Sequence, residues 1–81
     1  MSNREKLQAM LVSVFLLEES EFSFARQRGE VDTWDSLGVV ALAVGIEESF
    51  GYHCRPEEAN ALRSFQDVIE LLERKGISFA G

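Results

Sequence analysis

The sequence has few of the residues that cross-link or stiffen small proteins. Its 81 residues include one cysteine, Cys54, and one proline, Pro56. A single cysteine excludes an internal disulfide, which is typical of proteins from a reducing compartment. No apolar run is long enough to cross a bilayer, and the N-terminal residues lack the apolar core of a signal peptide. We therefore expect a cytoplasmic protein without stable membrane insertion.

Basic side chains are also few, and they are unevenly distributed. Eight Lys and Arg residues accompany fourteen Asp and Glu residues, which gives a net charge of -6. Residues 30–60 contain seven of the acids and only one base, Arg55, so the whole net charge lies in this part of the chain. Such a surface attracts basic protein surfaces and repels nucleic acid and anionic membranes. A solvated acidic surface that serves solubility is the alternative interpretation.

The length and composition fit one small domain over residues 1–81. With 46% hydrophobic residues, the chain can enclose a modest core but no large substrate cavity. Internal repeats, low-complexity tracts and linkers are absent from the sequence. We expect the domain to be a monomer.

The first predicted helix begins at a capping box formed by Ser2 and Glu5. Apolar residues then follow at the spacing of a single helical stripe: Leu7, Met10, Leu11, Val14 and Phe15. From Glu18 to Thr33 the chain is mostly polar and has no helical periodicity. A connection of this length needs to be held in place, and Phe22 and Phe24 are expected to do so by covering the open end of the bundle.

Three further helices follow from their capping signals. Asp35 as N-cap and Gly51 as left-handed C-cap bound a second helix from Ser36 to Phe50. A short third helix opens with Pro56 and ends near Leu62. The fourth begins after Ser64 and ends at Gly76, with Ile77 placed to contact Leu72 in a Schellman motif. The sequence thus predicts an all-α four-helix bundle with three main helices, a short third helix and a long loop between the first two.

The second helix is apolar on two faces, although so small a bundle can bury only one. The inward stripe is predicted to consist of Val39, Leu42, Ala43, Ile46 and Phe50. The opposite stripe is interpreted as a partner-docking surface; it consists of Leu37, Val40, Ala41 and Val44 and is edged by Glu47 and Glu48.

Ser36 places one primary hydroxyl at the predicted start of the second helix. The free amides and the macrodipole at a helix N-terminus create positive potential. A phosphate esterified to Ser36 would lie in that potential.

The tripeptide Asp35-Ser36-Leu37 resembles the phosphopantetheine attachment site of acyl carrier proteins. The resemblance continues in order through residues 47–51, 56–59 and 64–68, and it spans about half of the chain. It implies that Ser36 carries 4'-phosphopantetheine, donated by coenzyme A through a phosphopantetheinyl transferase, with Asp35 helping that enzyme and its metal ion to engage the serine. It also implies a thiol loaded by a ligase or synthase with an acyl or aminoacyl thioester, which downstream acyltransferases then use.

Two positions depart from the usual fatty-acid carrier pattern, which places acids where this chain has Gly38 and Ala41. Partners that bind those carboxylates would find none here. The departure favours a specialised carrier, similar to peptidyl or aminoacyl carriers of polyketide or nonribosomal biosynthesis, over the housekeeping carrier of fatty acid biosynthesis. Drift among carriers that serve the same pathway is the alternative.

Other residues invite catalytic or metal-binding interpretations. Ser36, Asp35 and His53 would form a triad only with an oxyanion hole, and the chain lacks a Gly-x-Ser-x-Gly elbow. The pair His53-Cys54 provides too few ligands for a structural zinc site. We therefore expect neither an enzyme nor a metal centre, with Cys54 buried and His53 at the surface.

Trp34 has two alternative interpretations, of which anchoring is the default. It either anchors the loop under the bundle or flanks the prosthetic arm and contacts partner enzymes, and on the second interpretation it joins the docking residues. A rival function for the whole chain is a helical interaction module that is never modified and binds a partner helix through Leu37, Val40 and Val44.

Overall fold

The four predicted helices are all present in the computed structural model, which describes residues 2–79. They are α1 (Asn3–Phe15), α2 (Ser36–Phe50), α3 (Pro56–Ala61) and α4 (Phe65–Arg74). The connection between α1 and α2 contains two 3₁₀ turns, Glu19–Glu21 and Arg28–Glu30. Within residues 2–79 there is no β-strand. The prediction of an all-α bundle with a short third helix and a long first loop is confirmed.

Both ends of α1 are fixed by local hydrogen bonds. The Ser2 hydroxyl accepts from the Glu5 amide at 3.1 Å, and the Ser2 amide donates to the Glu5 carboxylate at 3.3 Å, which completes the predicted capping box. The C-terminal end contains no glycine. Leu16 instead adopts the left-handed conformation, with φ 56° and ψ 42°, and its amide bonds to the Val12 carbonyl.

The boundaries predicted for α2 and α4 are set by their caps. The Asp35 carboxylate accepts from the Gly38 amide at 2.9 Å, and Gly51 closes the helix at φ 71°. At the end of α4, Gly76 has φ 89° and the Ile77 amide donates to the Leu72 carbonyl at 3.0 Å. This six-to-one bond is the Schellman geometry expected from the sequence.

An aromatic cluster centred on Phe65, the first residue of α4, joins three parts of the chain. Its ring lies parallel to that of Trp34, with centroids 5.1 Å apart, and contacts Phe15 of α1 at 5.7 Å. Phe22 of the long connection stacks on it at 5.5 Å. The helices contribute most of the remaining core, of which the largest fully buried members are Leu7, Leu11, Leu42, Ile46, Val68, Ile69 and Leu72.

The long connection is held against α4 by backbone pairing as well. The Arg28 amide donates to the Arg63 carbonyl at 2.7 Å, and the Phe65 amide donates to the Arg26 carbonyl at 3.1 Å. Phe24 packs edge-on against Phe22, with centroids 4.8 Å apart. Both phenylalanines are therefore packed against the core, as expected of side chains that hold the connection in place.

None of the helices in residues 2–79 has the length and apolar character that a membrane span requires.

Candidate functional site

Ser36 is the first residue of α2, and its side chain is exposed to solvent. Of the amides in the first turn, that of Gly38 is bound by the Asp35 carboxylate, while helix geometry leaves the others without a partner inside the helix. The hydroxyl therefore lies at the positive end of a 15-residue helix and is accessible to another molecule.

Gly38 is buried beneath the first turn of α2, and this corrects the sequence interpretation of position 38 as a surface site that lacks an acid. A Cβ at Gly38 would collide with the carbonyl oxygen of Thr33 and lie 3.1 Å from the ring of Phe15. The Thr33 hydroxyl in turn donates to the Phe15 carbonyl at 2.7 Å. Glycine thus lets the start of α2 approach the end of α1. A residue with a side chain at position 38 would fit only if the backbone at Thr33 moved.

The outward face of α2 is apolar and open to solvent, as predicted. Leu37 is 81% exposed, Val40 53% and Val44 51%. Ala41 lies between them and is half-buried. The inward residues Val39, Leu42, Ala43 and Ile46 are buried, and Phe50 is partly buried.

The acidic edge of this face lies near the C-terminal end of α2. Glu47 and Glu48 are both exposed, and a Glu47 carboxylate oxygen lies 2.7 Å from Nδ1 of His53. Glu47 is eleven residues beyond Ser36, which corresponds to roughly 16 Å along a helix axis. The only histidine of the chain is thereby engaged at the opposite end of α2 from Ser36, so the three residues considered as a triad do not come together.

Trp34 lies in the core and is only 4% exposed, which corrects its inclusion among the docking residues. Its indole packs against both Phe65 and Phe15, with ring centroids 5.1 Å away in each case. The indole nitrogen is buried and has no hydrogen-bond partner among residues 2–79. Of the two roles considered from the sequence, the structure supports the anchor.

A shallow groove runs from Ser36 between α2 and α3. Its lining combines apolar and polar side chains: Ser36, Val39, Val40, Pro56, Glu57 and Asn60. The groove opens to solvent along its length and could accommodate a slender chain that leaves the serine oxygen.

The Arg28 side chain forms hydrogen bonds to residues on both sides of the groove. Its Nε donates to the Trp34 carbonyl at 3.3 Å, two residues before Ser36. Its Nη1 donates to the backbone carbonyl of Asn60 at 3.2 Å and to the side-chain oxygen of the same residue at 3.1 Å. One side chain of the loop therefore connects the start of α2 to the end of α3.

Cys54 is buried, as expected, and burial raises the pKa of its thiol to about 11, with a smaller contribution from the Glu58 carboxylate. Such a thiol is protonated at neutral pH and is a poor nucleophile. His53 lies at the surface, also as expected. Within the described range 2–79, no group of three or more His, Cys, Asp or Glu side chains is arranged to hold a metal ion.

Sequence reasoning missed Thr33, Arg28 and Leu16. The contacts of Thr33 and Arg28 join residues 18 and 32 positions apart, respectively, and no local pattern predicts them. For Leu16 the sequence contains a weak signal. Helices usually end at glycine or asparagine, but here the apolar pair Leu16-Leu17 follows the last residue of the apolar stripe.

Comparison with curated proteins finds several acyl carrier proteins. The chain is 43% identical over 42 residues to the acyl carrier protein of Bdellovibrio bacteriovorus, a match that covers 52% of this chain and 54% of that protein. It is 26% identical over 69 residues to that of Coprothermobacter proteolyticus, which covers 85% and 84% of the two chains. It is 42% identical over 41 residues to that of Thermosynechococcus vestitus, which covers 51% of each.

The two matches above 40% identity span about half the length of those relatives, whereas the weaker match spans most of its relative. No protein-family profile matches the chain. No solved structure matches it either. The resemblance inferred from the motifs is nevertheless confirmed by the curated relatives.

Proposed function

Because this chain is a relative of the acyl carrier proteins, we propose that it holds acyl or aminoacyl groups as thioesters on a 4'-phosphopantetheine arm attached to Ser36. Residues 1–81 would then form a single carrier domain. The arm supplies a terminal thiol on a flexible tether. Tethering gives the cargo a high effective concentration at each partner enzyme, so that the protein contacts themselves can remain weak and exchange quickly.

The observation that carries this proposal is the position of the Ser36 hydroxyl. It is exposed, it opens α2, and it follows an N-cap whose carboxylate is already bonded to the Gly38 amide. The positive end of the helix favours the phosphodiester that esterification creates. In the modification, the Ser36 oxygen gives its proton to a base of the transferase and forms a bond to the phosphorus of coenzyme A that bears pantetheine. The bond between the two phosphates breaks, and adenosine 3',5'-bisphosphate leaves.

Asp35 and Leu37 flank the modified serine and have different roles in the proposal. Asp35 holds the first turn through the Gly38 amide, and its second carboxylate oxygen is available to a metal ion brought by the transferase. Leu37 is the most exposed large apolar side chain of α2 and would contact whichever enzyme reaches the serine.

The groove beside Ser36 suits the proposed arm. Phosphopantetheine has a branched apolar segment followed by two amides, and the groove offers Val39 and Val40 on one side and Asn60 on the other. The carbonyl and side-chain oxygens of Asn60 accept from Arg28, which leaves its side-chain nitrogen free to donate to an amide carbonyl. These residues would orient the arm along the surface before it reaches a partner.

The outward face of α2 is the proposed docking surface, here restricted to Leu37, Val40, Ala41 and Val44 and edged by Glu47 and Glu48. An apolar centre with an acidic edge fits partners that carry an apolar patch among Lys and Arg side chains. We propose three kinds of partner: the phosphopantetheinyl transferase, a loading ligase or synthase, and downstream acyltransferases. Nucleic acid is not among them, because residues 30–60 carry the whole net charge of -6.

We propose that the chain is not itself an enzyme. The only imidazole, His53, is engaged by Glu47 at the opposite end of α2, so Ser36 has no neighbouring base of that kind. The protein would act in the cytoplasm as a monomer.

The absence of a carboxylate at Ala41 favours a specialised pathway, such as polyketide or nonribosomal biosynthesis, over housekeeping fatty acid biosynthesis. At Gly38 the absence of a carboxylate is required by the packing, since no side chain fits there.

Intact-mass measurement after coexpression with a broad-specificity transferase tests the proposal. The wild-type chain is expected to gain the mass of one arm, and Ser36→Ala none. Ser13→Ala is the matched control, because Ser13 is also exposed on a helix but lies in the last turn of α1, at the opposite polarity of the helix dipole. An arm on Ser36→Ala, or a wild-type chain that stays unmodified, would contradict the proposal; the second result would favour the unmodified interaction module.

A further inference from the structure

Leu16 has an unusual backbone conformation for its residue type. It is the only residue other than glycine with a positive φ in the described part of the chain. The left-handed region favours glycine, which has no Cβ to clash with the backbone. The conformation is firmly held, since the amides of both Leu16 and Leu17 donate to the Val12 carbonyl.

The side chain of Leu16 is also exposed to an unusual degree. At 81% its exposed fraction equals that of Leu37, and only four large apolar side chains within residues 2–79 are exposed rather than half-buried or buried: Leu16, Leu37, Val40 and Val44. The other three form the proposed docking surface. Glycine at position 16 would end α1 without either the conformational cost or the exposed apolar surface. A requirement for helix termination therefore does not explain leucine at this position.

Leu16 lies at the same end of the bundle as Ser36. Its neighbour Phe15 accepts from the Thr33 hydroxyl at 2.7 Å, three residues before the serine. Gly38, two residues after the serine, packs against both Thr33 and the Phe15 ring. These contacts fix the end of α1 against the start of α2, so the exposed Leu16 side chain projects from a backbone that is held in place.

The segments next to Leu16 and before α2 are acidic. Glu18 and Glu19 follow it closely and are exposed, as are Asp32 and Asp35 on the segment that leads into α2. The sequence has no Lys or Arg between residues 7 and 25, nor between residues 31 and 54. The segment that follows Leu16 and the segment that leads into α2 thus carry exposed acids, a charge complementary to an apolar pocket bordered by basic residues.

We propose that Leu16 is a contact residue for the phosphopantetheinyl transferase, whose surface would receive it in an apolar pocket flanked by Lys or Arg. This inference rests on the proposed function of Ser36. The transferase must bring its active site to the serine oxygen itself, and so it covers the surface around that atom. Enzymes that act on the distant thiol of the arm can dock farther along α2 and need not reach Leu16.

Three variants separate this role from a structural one. Leu16→Gly removes the side chain and suits the left-handed backbone. Leu16→Asn keeps the same number and branching of side-chain heavy atoms, tolerates that backbone and is polar. Leu16→Met keeps the apolar character. The measurement is kcat/KM for modification of the purified apo-protein by a transferase with coenzyme A, alongside the unfolding midpoint of each variant.

We expect kcat/KM to fall about tenfold for Leu16→Gly and Leu16→Asn, mainly through KM, since an apolar contact of leucine size is lost. Leu16→Met should stay within about twofold of the wild type. The unfolding midpoint of Leu16→Gly should not decrease, which excludes misfolding as the cause. Wild-type rates in Leu16→Gly and Leu16→Asn, or an equal loss in Leu16→Met, would overturn the inference.

The same experiment keeps this inference separate from the proposed function. If the wild-type chain is modified at Ser36 and the Leu16 variants are modified equally well, only the role of Leu16 fails. If the wild-type chain is never modified, the carrier function fails, and the role of Leu16 fails with it.

Discussion

Gly38 lies directly against the carbonyl oxygen of Thr33, and this contact determines how closely α2 approaches the segment that precedes it. The oxygen belongs to backbone, which cannot turn aside as a flexible side chain would. The same threonine is bonded through its hydroxyl to Phe15. The position of Ser36 therefore depends on a glycine two residues later in the chain.

Gly38→Ala is expected to destabilise the protein, although alanine is the better helix former. Relief of glycine's helix penalty is worth about 1 kcal/mol, whereas crowding of a packed site costs about 1–3 kcal/mol, and the immobile carbonyl places this site at the upper end. We expect a net loss of about 1–2 kcal/mol in the free energy of unfolding, measured by urea denaturation with Trp34 fluorescence.

Gly29→Ala is the matched control for that measurement. A Cβ at Gly29 would meet no atom within 4 Å, so this variant should be as stable as the wild type. Equal stability of the two variants would show that the approach of Gly38 to Thr33 is not tight.

Asp35 is expected to act both as a cap and as a charge, and two variants separate these roles. Asp35→Ala loses the bond to the Gly38 amide and should cost about 0.5–2 kcal/mol of stability. Asp35→Asn retains an N-cap oxygen and should remain close to wild-type stability. If the carboxylate helps to hold the metal ion of the transferase, Asp35→Asn should be modified more slowly than the wild type, although its stability is retained. Wild-type modification of Asp35→Asn would limit the residue to capping.

Arg28→Met should loosen α3 relative to α2. It removes three hydrogen bonds, to the Trp34 carbonyl and to two oxygens of Asn60, and leaves those acceptors to water. Charged hydrogen bonds of this kind contribute about 1–3 kcal/mol. Relative to the wild type, the substitution should accelerate amide hydrogen exchange in α3, where Ala59 is buried, more than in α1. Arg63→Met, at an exposed side chain, is the control, and equal protection of α3 in both variants would refute the link.

Cys54 should resist alkylation in the folded protein. Its pKa of about 11 leaves little thiolate at pH 8, and the side chain is buried. Iodoacetamide should modify it rapidly only after denaturation, as followed by mass spectrometry. Rapid labelling of the native protein would show that the thiol is accessible.

The raised pKa of Cys54 also gives the sign of a pH dependence. Folding favours the neutral thiol of Cys54. Its contribution to the free energy of unfolding is complete below the ordinary thiol pKa of 9.0 and is lost as the pH rises towards the folded-state pKa of about 11. The stability of the wild type relative to Cys54→Ala should therefore decrease over that interval. A constant difference would contradict the assigned shift.

Local signals were sufficient to predict most of the helical framework. The bounds of α2 follow from Asp35 and Gly51, and those of α4 from Ser64 and Gly76, because capping chemistry depends on a few neighbouring residues. The burial of Trp34 and Gly38 depends instead on where distant segments pass. Sequence patterns therefore located the serine and the open face of α2, but they left the indole with both an anchoring and a docking interpretation and placed the glycine outside the packed interior.

The single ring of Phe65 contacts aromatic side chains from α1, from the long connection and from the segment before Ser36. A loop that inserts a ring into such a cluster cannot detach without opening the interior. The segment between the first two helices should consequently melt in the same transition as the rest of the molecule, as part of one cooperative unit, despite its polar composition and lack of regular helix.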